Sequence, residues 1–223
     1  MSVFRTALGA DWDRLHPQLQ RRFDIAAGGP AVVGTGVMDE VWRGPAFTLP
    51  FLALGTRRHI GFPDRGRDVP FTIENFGYRD RFGRETVTFV RTFDFPGRRR
   101  RFDATMIWSD ARGALVDYLG THQHLATDLA LRVDGTGGLH ISTGPQRFRA
   151  GPVDARVPRF LLGVGDVHEW YDDARDVVRI GVRVTNPRFG PLFGYHGSFS
   201  VRTLDAAVPV PVAALPMREE RRE

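Results

Sequence analysis

Residues 84–108 constrain this chain most, because they hold two alternating strands on either side of a Pro96-Gly97 turn. Side chains alternate between faces along a strand, so Val87, Phe89, Phe93 and Phe95 share one face, and Arg91 stands among them. A guanidinium on an apolar face requires a partner, since an isolated buried charge is strongly destabilising. Asp39, Glu40 or Glu74 on a neighbouring strand would make Arg91 half of a structural ion pair, and an acidic ligand would make it an anchor. A slip of one residue in register would simply expose it. Phe102, Ala104, Met106 and Trp108 continue the apolar face on the second strand.

The same grammar runs from Val69 to Leu204, where turn signals arrive about every 8–12 residues. They fall at residues 80–84, 96–97, 110–113, 134–138 and 172–176. Between them Leu129, Leu131 and Val133 alternate with other residues, as do Val178, Ile180, Val182 and Val184. Upstream, Trp12, Leu15, Leu19 and Phe23 recur at helical spacing, with Pro17 breaking or restarting the helix. Residues 31–42 read as a first strand and residues 45–59 as a second helix despite Pro50. The predicted fold is mainly β, an antiparallel meander of about ten strands with two short helices in its N-terminal half. It is curved into a half-barrel or closed as a barrel, and either shape leaves room for a cavity. Residues 1–204 form one β-rich domain in this reading. Residues 205–223, which alternate Pro with Val and end in a charged run, form a flexible tail.

Composition removes several classes of function. All 31 basic residues are arginine, so neither a phosphate-binding loop nor a Schiff-base lysine exists. The net charge of +5 is spread along the chain and interleaved with Asp and Glu, a pattern of solubility rather than of nucleic-acid binding. Arg98 to Arg101 sit on a hairpin without an aromatic platform beside them. The absence of cysteine excludes disulfides and thiolate chemistry. Gly34-Thr35-Gly36 lacks the third glycine of a dinucleotide fingerprint, and Gly197-Ser198-Phe199 is no nucleophile elbow. No leader-like N-terminus or membrane span is read from the sequence, and the cytoplasm is the expected location.

The candidate site residues are few. His122 and His124 would share one face of a strand, a spacing used by metal sites, with His168-Glu169 as the nearest further donors. Two ligands do not make a site, and solvated histidines are the preferred reading. In the glycine-rich segment 190–199, Tyr195, Phe199 and Val201 share a face, with His196 and Ser198 on the other. The leading expectation is a pocket in the concave face of the sheet for an apolar or amphipathic acidic small molecule. Arg91 anchors its acid and Phe89, Phe93, Trp108 and Tyr195 line the walls. One rival is a cofactor-free isomerase, cyclase or hydrolase using Tyr195, His196 or His168 as acid or base. Another is a docking module that presents a flat apolar patch. No catalytic residue, cofactor or metal is assigned.

Several short motifs occur in a telling order: Leu15-His16-Pro17, Arg22-Phe23, Gly61-Phe62-Pro63 and Asp68-Val69-Pro70-Phe71. Arg91-Thr92-Phe93, Leu119-Gly120, Gly138-Leu139 and residues 193–199 follow. Together they resemble a bacterial family filed as a domain of unknown function, which occurs alone and behind reductases similar to saccharopine dehydrogenase. The resemblance spans roughly residues 14–202. It implies no defined activity, and the fused reductases imply a small-molecule or lipid-like substrate and a reductase as partner.

Overall fold

Period-two alternation over so many residues gives the long strands a dry face that must be covered, and the chain covers it by rolling the sheet shut. The computed structural model describes residues 1–205 and 208–223. The strands are β1 Val32–Arg43, β2 Gly66–Arg79, β3 Glu85–Phe95, β4 Arg98–Ser109, β5 Ala114–Leu119 and β6 Leu125–Val133. They continue as β7 Leu139–Ala150, β8 Val153–Arg156, β9 Val164–Asp172, β10 Val177–Asn186 and β11 Gly190–Thr203. All pairings are antiparallel, in the order β6-β5-β4-β3-β2-β1-β11-β10-β9-β7-β8, and β6 also pairs with β7. That last pairing closes ten strands into a barrel. β7 pairs with β9 through residues 139–142 and with β8 through residues 147–150, so β8 is a short extra strand outside the ring. The mainly β expectation holds, and the choice between half-barrel and barrel is settled by the β6–β7 ladder.

One end of the barrel is plugged by the N-terminal segment. Helix α1 (Val3–Leu8), a 3-10 turn (Gly9–Arg14) and helix α2 (Pro17–Phe23) send Phe4, Trp12, Leu19 and Phe23 into the core. Phe4 lies 4.8 Å from Phe23 and 5.7 Å from Phe89, ring centre to ring centre. Pro17 restarts the helix: it stands in the first turn, where its missing N–H costs nothing, and the His16 ring accepts from the Gln18 N–H at 3.2 Å. The plug is fastened to the β6–β7 turn by the His16 N–H to the Gly137 carbonyl at 3.0 Å.

Helix α3 (Leu49–Thr56) lies at the other end, with Pro50 tolerated in its first turn. The residues that follow it dock on the β5–β6 turn, where the Thr121 N–H meets the Arg58 carbonyl at 3.0 Å. Gly120 at that turn has a positive φ, and a side chain there would collide with the same carbonyl.

Residues 208–223, with a 3-10 turn at Val212–Ala214, lie along the outside of the barrel. Val210 and Ala214 pack on Phe76 and Val90, whose strands present them on the face opposite Arg91. Thr88 Oγ1 donates to the Ala214 carbonyl at 2.9 Å, the Met217 N–H to the Thr121 carbonyl at 2.8 Å, and Tyr118 Oη to the Arg222 carbonyl at 2.9 Å. Glu220 is buried, its N–H donating to Gln123 Oε1 at 2.7 Å.

Candidate functional site

Between the plug and α3 the barrel encloses a cavity of about 290 Å³. Its walls are apolar except for Arg91, Asp117, Thr143, Gln146, Glu169 and Tyr195. Arg91 is inward-facing on β3, as alternation requires, and only 9% exposed. Its guanidinium lies 5.4 Å from the Phe89 ring centre and 5.2 Å from that of Phe102, and its Nε has no hydrogen-bond partner among the described residues. No carboxylate among the described residues forms an ion pair with it. The three expected partners are engaged elsewhere or face outward. Asp39 pairs with Arg179 and Glu40 with Arg67, while Glu74 stands opposite Val90 on the outer face.

Asp117 is the residue that sequence reasoning missed. It faces inward on β5 between Leu115 and Leu119, and burial pushes its carboxyl up to about 7 while the Arg91 charge pulls the other way. Its Oδ1 is buried without a partner. The signal was available: Leu115-x-Asp117-x-Leu119 is the same charge-on-a-dry-face pattern that picks out Arg91. Tyr195 on β11 is buried too, its hydroxyl unpaired and pushed up to about 12 by burial against the opposing effect of Arg91.

Glu169 carries the cavity's second missed feature. Arg22 of α2, fully buried, donates from Nε to Glu169 Oε2 at 2.8 Å and from Nη1 to Asn75 Oδ1 at 2.7 Å. The rings of Phe23, Phe89 and Phe199 surround its guanidinium. Arg22 follows Leu19 by three positions and so falls on the same helical stripe.

Of the five expected pocket residues, Phe89, Arg91 and Tyr195 line the cavity, whereas Phe93 and Trp108 do not. Phe93 is packed in solid core 5.0 Å from each of Phe62, Phe71 and Tyr195. Trp108 sits half-buried at the end of β4, where its Nε1 donates to Asp110 Oδ1 at 2.8 Å. Alternation gives the face of a strand and not the height along the barrel, so inward-facing residues above or below the cavity were included with those beside it.

The histidines part company. His122 and His124 lie in the β5–β6 turn with ring centres 5.9 Å apart, and His122 is shifted down by burial and by Arg58. His168 and Glu169 point to opposite faces of β9, and His196 is exposed on the outside. His168 instead meets His140, both Nε2 atoms lying on Asp134 Oδ2 at 3.1 and 3.2 Å. The two rings stack 3.9 Å apart at 13°. Nearly parallel imidazoles direct their lone pairs side by side, so one ion cannot lie in both ring planes, and the trio is a carboxylate shared by two imidazoles. Burial opposes the charge on Asp134, but hydrogen bonds from Thr136, Gly138 and His168 hold it well below the usual carboxylate range.

No helix among the described residues is long and apolar enough to cross a membrane. The fold and its interior define the class: a closed ten-stranded antiparallel barrel, plugged at one end, with a cavity whose apolar wall carries unpaired polar groups. Within that class the chain belongs to the family described as Domain of unknown function (DUF4166), whose profile matches residues 15–199. It is 33% identical over 185 residues to Uncharacterized protein YndH of Bacillus subtilis (strain 168), covering 83% of this chain and 90% of that protein. No solved structure matches the chain. The matched region begins after α1 and ends within β11, so it comprises the barrel strands and α2 with its Arg22.

Proposed function

We propose that the barrel binds an amphipathic small molecule through its acidic group, with Arg91 as the anchor. The observation that carries this reading is the convergence on one cavity of three buried, unpartnered polar atoms: Arg91 Nε, Asp117 Oδ1 and Tyr195 Oη. Each buried group left unpaired costs about 1–3 kcal/mol, which a ligand supplying the missing partners recovers. An acid suits Arg91, the protonated form of Asp117 can donate to it, and Phe102, Leu119, Leu129 and Ile141 take the apolar remainder. The test is native mass spectrometry of gently purified protein, with decanoate titrated into the stripped form. A stoichiometric acidic adduct that is lost in Arg91→Met supports the reading; an apo mass together with no decanoate binding defeats it.

One observation favours turnover as a second reading. A carboxyl poised at about 7 is suited to general acid or base work at neutral pH, so Asp117 could move a proton on the bound molecule in an isomerisation. Asp117→Asn separates the two, because a binder keeps its ligand and an enzyme loses its rate.

A further inference from the structure

Three segments meet at the open end of the cavity: residues 43–63 with α3, residues 155–163, and the β10–β11 turn. Phe47 lies 5.5 Å from Phe189, and Asn186 Nδ2 donates to the Phe160 and Leu162 carbonyls at 3.0 and 2.8 Å, tying the segments together. Leu52 and Gly55 of α3 and Gly163 of the second segment border the same cavity. Around that mouth the apolar side chains point outward. Phe51 and Leu54 are each 64% exposed, and Phe47, Phe160, Leu161 and Phe189 are exposed beside them. α3 buries no residue, although an apolar helix in water ordinarily buries one stripe.

The charge carried by these segments is of one sign, and the carboxylates beside them, Asp64, Asp103 and Asp154, are each paired with an arginine. No Asp or Glu occurs in residues 41–63, 155–165 or 177–204, whereas Arg43, Arg57, Arg58, Arg156, Arg159 and Arg188 fall within them. None of these six forms an ion pair among the described residues, while Arg98 and Arg100 on the neighbouring hairpin are tied to Asp64. Elsewhere in the chain arginine and acid are interleaved. An outward apolar rim set among unpaired arginines matches an anionic lipid surface, which takes the apolar groups among its acyl chains and the guanidiniums at its headgroups. A second copy fits poorly, because a two-fold contact would set arginine against arginine.

We propose that this mouth docks on an anionic lipid surface, from which the cavity takes its ligand. The proposal rests on the binding reading for the second of these steps alone. The test is co-sedimentation of the full chain with phosphatidylcholine vesicles, with and without a third of phosphatidylglycerol. Two double variants are compared, Leu54→Ser with Phe160→Ser and Arg57→Glu with Arg159→Glu, none of which lines the cavity. Wild type should bind the anionic vesicles and release them at high salt. The apolar pair should weaken binding by about a hundredfold and the charge pair by at least about tenfold. Arg91→Met should bind vesicles as wild type does, and both mouth variants should keep wild-type affinity for dissolved decanoate. Failure of wild type to bind anionic vesicles, or binding unchanged in both variants, overturns the docking. Concentration-dependent self-association abolished by the same variants overturns it in favour of a second copy. Vesicle binding without decanoate binding upholds the docking and overturns only the loading step.

Discussion

Arg91 and Asp117 stand two strands apart on one inner wall, close enough for the arginine's charge to act on the carboxyl, yet they close no ion pair. Elsewhere in the same interior Arg22 and Glu169 are fully joined. The barrel thus holds one satisfied pair and one open pair of opposite charges.

Replacing Arg91 with Met removes a buried guanidinium that has no ion-pair partner among the described residues. The variant should fold at least as stably as wild type, by up to about 1–3 kcal/mol in chemical denaturation, while losing acidic ligands. Because the Arg91 charge lowers Asp117, its removal should also move the Asp117 titration to higher pH, readable by carboxyl NMR.

Asp117 should make stability depend on pH near neutrality. Its folded value of about 7 lies above the unfolded value of about 3.9, so its contribution is full below pH ~4 and is lost as pH rises through ~7. Asp117→Asn should remove that slope, leaving the variant roughly 2–4 kcal/mol more stable than wild type at pH 8 and little changed at pH 4. Denaturation at the two pH values decides it, and equal slopes in both proteins refute it.

Arg22→Met should be costly where Arg91→Met is not. It strands Glu169 and Asn75 in the core, and breaking a buried pair typically costs about 3–5 kcal/mol. Adding Glu169→Gln should restore part of the loss, and equilibrium unfolding of the single and double variants measures it.

Deleting residues 205–223 should lower the melting temperature by several degrees and speed amide exchange in β2, β3 and β5, by uncovering Phe76, Val90 and Tyr118. Hydrogen bonds from Arg222 and then Arg218 hold Glu220 well below the usual carboxylate range. Its contribution is therefore present above pH ~4.3 and lost as pH falls, so the tail should loosen in acid before the barrel does. Simultaneous exchange of tail and barrel at every pH would show that the tail contributes no separable step.

Strand alternation and turn chemistry are local, and so the hairpins, the inward direction of Arg91, Phe89 and Tyr195, and the outward direction of His196 were all legible in the chain itself. Pro17 likewise announced a helix start through its fixed φ and missing N–H. Three things were settled only in three dimensions. Closure depended on β6 meeting β7, and the alternation pattern of a curled sheet is the same whether or not its edges join. Height along the barrel separated Phe93 and Trp108 from the cavity, because period two fixes a face and leaves position along the axis to register and plug. Pairing was decided by which strands became neighbours: Asp39 and Glu40 went to Arg179 and Arg67, Glu169 went to Arg22, and Arg91 kept its charge free at the cavity wall.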